Sequence, residues 1–242
     1  MSLKQAEILG VNVNSLTMVQ AVEKVQQFID ERKNALVATA NAEMLMRATQ
    51  DEELKHILNS ADLVVPDGAG TVWAANYLGM EMPERVAGYD LAQELMREAP
   101  GRGDRIYFFG SAPGVAEKAR EKAMELYSGI KIVGTRNGFF SEADEPEIIA
   151  EIKAARPDIL LVALGVPKQE KWLYKYRQEL QVPVAIGVGG TLDVMAGVMQ
   201  RAPLWMQKAK LEWLFRGLKQ PSRAGRLLAL PKFVMKVMAS KK

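Results

Sequence analysis

The segment Asp158–Leu164 (DILLVAL) is apolar after its first residue and ends at Gly165. A helical pattern follows over Gln169–Glu179, and a second apolar strand is predicted over Val182–Val188. A continuous apolar run is typical of a strand buried on both faces, and two such strands joined by a helix form a parallel βαβ unit. This segment therefore predicts an α/β protein with a parallel sheet.

The same alternation of strands and helices extends through the chain. Because helices that join parallel strands cover both faces of the sheet, we predict a mostly parallel sheet with helices on both sides. Of the 242 residues, 48% are hydrophobic and 25% are charged, which is typical of a folded protein. The other predicted strands are Ile8–Val13, Ala35–Thr39, Asp62–Val65, Arg105–Phe109 and Ile130–Val133.

The charge is divided unevenly along the chain. Residues 197–242 contain eleven Lys and Arg residues and a single acid, Glu212, for a net charge of +10, whereas residues 1–196 carry −7. Two amphipathic helices are predicted in the basic part, over Pro203–Leu218 and Arg223–Met238. We therefore divide the chain into a core and a basic helical appendage. Basic helices that carry Trp and Phe suit an anionic membrane surface, and their apolar faces could also support a homo-oligomer.

The composition excludes several classes of site. The chain has no Cys, which rules out disulfides, thiolate metal ligands and a Cys nucleophile. A single His argues against a His-built metal centre and against a Ser-His triad. No apolar run is long enough to span a bilayer, and the N-terminus has no secretory apolar region, so we expect an intracellular protein, soluble or peripheral to a membrane.

Polar side chains and glycines follow the predicted strands. In open parallel sheets, ligands bind beyond the carboxyl ends of the strands, so these positions are candidates for a binding site. Turns and helix caps need the same residue types, and each position alone also has that structural interpretation. The candidates are Thr39, Asn41, Asp67, Gly68, Gly110, Ser111, Asn137, Gly138, Gly165, Gln169 and Gly187–Asp193.

Asp67 is the sharpest of these candidates. It lies between Pro66, which lacks an N–H group, and Gly68, which tolerates unusual backbone angles, so the turn could aim a carboxylate into the crevice. A carboxylate there could act as a general base. Alternatively, Asp67 caps the helix that is predicted to begin at Thr71.

The turn Gly187–Asp193 (GVGGTLD) follows an apolar strand, and its bare amides could approach a phosphate or a nucleoside. Leu192 stands where a dinucleotide fingerprint has its last Gly, and no Walker pattern or Asp-x-Asp metal pair occurs. A diphosphate bound here would therefore need cationic side chains. Arginines of the basic part could supply bidentate contacts, or they could form a solvated basic face. These arginines are Arg201, Arg216, Arg223 and Arg226.

Eight short segments carry a resemblance across nearly the whole chain. In this order and at this spacing they resemble the WecG/TagA/CpsF glycosyltransferase family. The segments are Thr39–Glu43 (TANAE), Ala61–Gly68 (ADLVVPDG), Glu84–Asp90 (ERVAGYD), Phe108–Gly114 (FFGSAPG), Gly165–Trp172 (GVPKQEKW), Gly187–Asp193 (GVGGTLD), Arg201–Trp205 (RAPLW) and Leu211–Arg216 (LEWLFR).

The resemblance implies a Rossmann-like core, a UDP-sugar donor, an undecaprenyl-diphosphate-linked acceptor, inversion at the anomeric carbon, and no metal or other cofactor. It implies a cytoplasmic protein, peripheral on the inner face of the cell membrane. The chain length implies the branch that adds N-acetylmannosamine to lipid-linked N-acetylglucosamine in wall teichoic acid synthesis, with UDP-ManNAcA or UDP-glucose as alternative donors.

The resemblance also implies a role for each candidate residue. Asp67 is the base that deprotonates the acceptor hydroxyl. The sugars are positioned by Thr39, Asn41, Arg85 and Gln169. The nucleotide is held by Gly187, Gly189, Gly190 and Asp193. The diphosphates are bound by Arg216, Arg223 and Arg226.

Two other classes stay open at this point. A nicotinamide enzyme would need an N-terminal fingerprint, which the chain lacks, and a non-catalytic membrane-binding or scaffold module would not explain the polar strand ends. No nucleic-acid recognition motif occurs, so we expect no nucleic-acid partner.

Overall fold

A computed structural model describes residues 3–208, 212, 214, 215 and 229–241. Its centre is a six-stranded sheet whose neighbouring strands all run parallel. The strands are β3 (Ala35–Ala40), β4 (Leu63–Pro66), β5 (Arg105–Gly110), β6 (Lys131–Arg136), β7 (Ile159–Ala163) and β8 (Val184–Gly187). Their order across the sheet is β4-β3-β8-β7-β5-β6. The predicted fold class is confirmed.

The central strands are buried on both faces, as their apolar runs predict. Every residue of β3 and β7 is buried. Successive side chains of a strand point to opposite faces, and β3 shows this directly. Ala35 and Val37 pack in the core on one side of the sheet, whereas Leu36 and Ala38 pack on the other.

The N-terminal segment does not form the single strand that was predicted over Ile8–Val13. It forms an antiparallel hairpin of β1 (Gln5–Ile8) and β2 (Val11–Asn14). Leu9 and Gly10 both have positive φ, 52° and 82°, which is the backbone of a two-residue hairpin turn. Asn14 accepts a hydrogen bond from Val64 N at 2.8 Å and so attaches the hairpin to β4. The single strand over Ile8–Val13 was wrong because it ran through this turn.

Helices cover both faces of the sheet. The cores on the two sides are built around different helices. One face carries α1 (Met18–Asp30), α5 (Gly88–Arg102), α6 (Val115–Leu126) and α9 (Thr191–Met195). The other carries α2 (Ala42–Ala48), α3 (Glu52–Ser60), α4 (Ala69–Tyr77), α7 (Glu145–Ala155), which follows a 3₁₀ turn at Glu142–Asp144, and α8 (Lys168–Leu180).

The basic C-terminal part is helical where it is described. It contains α10 (Leu204–Lys208) and α11 (Ala229–Ser240), and Glu212, Leu214 and Phe215 are also helical. Every described strand precedes residue 197, where the division into core and appendage was predicted. The residues between the two predicted helices, 219–222, lie outside the described residues.

The last helix packs on the core. Phe233 and Val237 of α11 are completely buried against α2 and α4. Gly70 permits this approach, because a Cβ there would lie 3.4 Å from a methyl group of Leu230 and 3.2 Å from Ala42 Cβ. In the described part of the chain, no helix combines the length and the apolar character that crossing a membrane would require.

Candidate functional site

The carboxyl ends of β4, β3 and β8 lie side by side at one edge of the sheet. The chain leaves β3 into α2 on one face and leaves β8 into α9 on the opposite face. Neighbouring strands whose following helices go to opposite faces leave a crevice between them, where open parallel sheets bind ligands. The candidate residues of β3, β4 and β8 surround this crevice.

Asp67 follows β4 directly and is half-buried. Its N–H donates to Ala40 O at 2.9 Å and to Val65 O at 3.0 Å, which fixes its backbone against the end of β3. Gly68 follows with φ of +100°, a conformation that glycine adopts at low cost. Gly68 is also the N-cap of α4, so the alternative interpretation of Asp67 as that cap was wrong.

Thr39 and Asn41 lie on either side of the end of β3. Thr39 is buried, and its hydroxyl donates to Gly187 O at 3.0 Å, linking β3 to the glycine-rich turn after β8. Asn41 caps α2 through Oδ1, which accepts from Met44 N at 3.0 Å. A Cβ on Gly68 would lie 3.7 Å from Asn41 Cβ, so the Asn41 and Asp67 turns adjoin each other.

Gln169 is only 1% exposed and links two loops of the site. Its Oε1 accepts from Gly165 N and from Gly189 N, both at 3.1 Å. Its Nε2 donates to Glu170 Oε1 at 2.7 Å. The amide of Gln169 therefore holds the loop after β7 and the turn after β8 in a fixed relation. Both polar atoms of this amide are hydrogen-bonded to protein groups.

Glu170 is a buried acid that is not among the site residues predicted from the sequence. It is 1% exposed, and its Oε2 has no hydrogen-bond partner among the described residues. Burial raises the pKa of Glu170 to about 7, and the hydrogen bond from Gln169 opposes that rise. The signal for it in the sequence is faint, because an acid in the first turn of a helix is ordinarily solvated.

The glycine-rich turn is joined to the end of β5 as well. Asp193 Oδ2 accepts from the hydroxyl of Ser111 at 3.1 Å. A Cβ on Gly187 would lie 2.6 Å from Gln169 Nε2, so only glycine allows Gln169 to reach this position. Gly189, with φ of +54°, and Gly190 complete the turn. The predicted nucleotide-binding segment is thus held at Gly187, Gly189 and Asp193 by three neighbouring elements.

Four charged side chains form a closed cluster at the rim of the crevice, and we call it the ion ring. Arg85 and Asp90 belong to the core, and Arg201 and Glu212 belong to the basic C-terminal part. Arg201 binds Asp90 through two hydrogen bonds of 2.6 and 2.8 Å. Burial opposes the charge on Arg201, but the ion pairs with Asp90 and Glu212 prevail and raise the pKa of Arg201 above its usual value.

The structure thus brings together most of the predicted site residues. Thr39, Asn41, Asp67, Gln169 and the glycine-rich turn meet at the carboxyl edge, whereas Arg85 lies in the ion ring. Arg216, Arg223 and Arg226 lie outside the described residues. Within the described ranges, no three His, Asp or Glu side chains form a group that could hold a metal ion.

Comparison with known proteins identifies the family. The model of the glycosyl transferase WecG/TagA/CpsF family matches residues 6–242. The chain belongs to this family. The resemblance inferred from the eight sequence segments is therefore confirmed.

Three relatives of this chain share the name N-acetylglucosaminyldiphosphoundecaprenol N-acetyl-beta-D-mannosaminyltransferase. The protein of Bacillus spizizenii is 37% identical over 87% of this chain and 81% of its own length. That of Bacillus subtilis strain 168 is 34% identical over 96% and 89%. That of Staphylococcus aureus strain MW2 is 32% identical over 98% and 94%.

Glu170→Gln tests the electrostatics beneath the glycine-rich turn. The raised pKa means that folded Glu170 keeps its proton at pH values where the unfolded chain, with a pKa near 4.5, has lost it. This group therefore lowers the free energy of unfolding as pH rises from 4.5 to about 7. Because the variant has no carboxyl group, its stability relative to the parent should rise by roughly 2–3 kcal/mol as pH increases from 4.5 to 8.

Urea unfolding at several pH values measures this difference. Gln178→Ala is the matched control, because Gln178 is an exposed, non-titrating residue of the same helix, and its effect should not change with pH. A difference between Glu170→Gln and the parent that stays constant from pH 4.5 to 8 would contradict the account.

Proposed function

We propose that this protein is an inverting glycosyltransferase that transfers N-acetylmannosamine from UDP-ManNAc to undecaprenyl-diphosphate-linked N-acetylglucosamine. This would be the first committed step of wall teichoic acid linkage-unit synthesis. The relatives named for this transfer support it, since they match this chain over most of their length. The observation that carries the mechanism is the half-buried Asp67 carboxylate at the junction of two strand ends.

In the proposed reaction, Asp67 accepts the proton of the acceptor hydroxyl. The hydroxyl oxygen forms a bond to the anomeric carbon of the donor while the bond from that carbon to the UDP oxygen breaks. A single displacement of this kind inverts the configuration at that carbon. Asp67 suits the role because its N–H is bonded to Ala40 O and Val65 O, so the carboxylate extends from a backbone of defined position.

The polar residues around Asp67 would divide the remaining work. Asn41 uses Oδ1 to cap α2, which leaves its Nδ2 as the group that would donate to a sugar. Thr39 and Gln169 are buried and hydrogen-bonded to the glycine-rich turn. We therefore propose that they position the sugars by shaping the wall of the sugar site. Gly187, Gly189, Gly190 and Asp193 would hold the nucleotide.

Negative charge develops on the UDP diphosphate as it leaves. We propose that Arg216, Arg223 and Arg226 neutralise it or bind the diphosphate of the acceptor, because arginine forms bidentate contacts with phosphate. No Asp-x-Asp pair is present in the sequence, which favours a reaction that needs no metal ion.

The acceptor is lipid-linked, so we propose that the protein binds peripherally to the inner face of the cell membrane. Two features support this: the charge of +10 over residues 197–242, and the apolar surface of α10, where Leu204 is 73% and Trp205 is 64% exposed. Lys and Arg near an anionic surface contribute about 1 kcal/mol each, and the apolar side chains would enter the headgroup region. The same surface could pair two copies of the chain.

Asp67→Asn should reduce turnover by about 100-fold or more, because the amide cannot accept the proton of the acceptor hydroxyl. UDP affinity, measured by calorimetry, and the urea midpoint should stay close to those of the parent, since the neutral side chain occupies the same space. Near-normal turnover in this variant would remove Asp67 from the proton transfer.

Leu204→Ser combined with Trp205→Ser should weaken binding to anionic phosphatidylglycerol vesicles by at least about tenfold, because two apolar side chains no longer leave water. Turnover should fall more with a membrane-embedded acceptor than with a short-chain soluble one. Met124→Ser with Leu126→Ser on α6 is the matched control, since these residues are 52% and 66% exposed. Equal vesicle binding by both double variants would rule out α10 as the membrane contact.

A further inference from the structure

The ion ring is alternating and closed. Asp90 contacts both arginines, with Arg201 at 2.6 and 2.8 Å and Arg85 at 3.6 Å. Glu212 also contacts both, with Arg201 at 3.3 Å and with Arg85 through a direct hydrogen bond. Each carboxylate therefore bridges two guanidinium groups, and two of the four side chains come from each part of the chain.

The ring is better shielded from water than an ordinary surface ion pair. The Glu212 side chain is 13% exposed, Arg201 20%, Arg85 23% and Asp90 35%. The guanidinium of Arg201 also lies over the ring of Tyr89, 4.6 Å from its centroid. Bidentate geometry and partial burial are the conditions under which an ion pair stabilises a structure appreciably.

The core side of the ring is fixed to the strand ends beside Asp67. Val86 N donates to Pro66 O at 2.9 Å, one residue before Asp67. Gly88 packs so tightly on Thr39 that a Cβ there would lie 2.9 Å from Thr39 Cγ2. A C-terminal segment held by Arg85 and Asp90 is thereby held at the rim of the crevice.

Charge balance argues against a phosphate site at the ring. Two positive and two negative side chains neutralise one another, and the carboxylates of Asp90 and Glu212 occupy the guanidinium faces that a diphosphate would need. Glu212 is also the only acid in residues 197–242, and the ring uses it.

We propose that Asp90, Arg201 and Glu212 are positioning residues that, together with Arg85, hold the C-terminal segment across the rim of the active site. This inference rests on the proposed function, in which the C-terminal part completes the site. It assigns a role to three residues that had none in the mechanism, and it gives Arg85 a role in positioning the protein instead of contacting the sugar.

The absence of native Cys allows a direct test. Val19→Cys on α1 and Leu204→Cys on α10 place two exposed, unique sites for spin labels on the core and on the C-terminal segment. Pulsed electron–electron double resonance, measured without substrate on the doubly labelled parent, should give one narrow distribution of distances between the two labels. Adding Asp90→Asn or Glu212→Gln should broaden it or shift it, whereas Glu125→Gln, which breaks an exposed pair with Lys122, should not.

Kinetics on a short-chain soluble acceptor, with the unlabelled single variants, supply the second readout. Asp90→Asn and Glu212→Gln should each lower kcat by about 10- to 100-fold, the scale of a misplaced catalytic group, while the UDP affinity stays within about twofold of the parent. Arg201→Gln combined with Asp90→Asn should lose little more activity than Arg201→Gln alone, because Arg201→Gln already removes the two hydrogen bonds between Arg201 and Asp90, and the remaining contact of Asp90 with Arg85 is longer, at 3.6 Å.

The outcomes separate this inference from the proposed function. An unchanged distance distribution in both ring variants would overturn the inference, whatever the activity. A broadened distribution with parental kcat would overturn it as well, because the ring would then hold a segment that catalysis does not need. A parent enzyme that transfers no N-acetylmannosamine would refute the proposed function, and the distance measurement would still report on the ring.

Discussion

The parallel direction of the six strands is the constraint on which the site depends. Parallel strands place all their carboxyl ends at one edge, so residues far apart in the sequence meet there. Asp67 follows β4, Ser111 follows β5 and Gly187 ends β8, yet hydrogen bonds connect the segments around them. The bond from Thr39 to Gly187 spans 148 positions of the chain. The polar edge is thus a consequence of the sheet, and the chemistry is added by a few side chains.

Sequence reasoning predicted the parts of this arrangement that depend on local pattern. The alternation of apolar runs and helical periodicity predicted the fold class, which the six parallel strands and their covering helices confirm. The single strand over Ile8–Val13 was wrong, because apolar residues continue through a turn that depends on the positive φ of Leu9 and Gly10. The periodicity of apolar residues and the composition of a segment do not distinguish a short, tight hairpin from a single strand.

Contacts made through tertiary structure could not be predicted in the same way. A glutamine after a strand suggests a ligand contact, and the burial of Gln169 between two loops becomes visible only once β7 and β8 lie side by side. The pairing of Glu212 with Arg85 likewise joins positions 127 residues apart. Asp90 lies in a segment that carried the family resemblance, but its partner could be identified only from the packed structure.

The basic C-terminal part has one property that the sequence predicts and one that it does not. Its charge is evident from composition, whereas the burial of Phe233 and Val237 is a property of the packed core.

The central claim is a single displacement in the crevice beside Asp67, with N-acetylmannosamine as the transferred sugar. The most direct test is an NMR determination of the product formed from UDP-ManNAc and a short-chain diphosphate-linked N-acetylglucosamine acceptor, in the presence of EDTA. The account predicts one new glycosidic bond with the anomeric configuration inverted relative to the donor, formed at the same rate with and without the chelator. Retention of configuration, or transfer that requires an added metal ion, would contradict it.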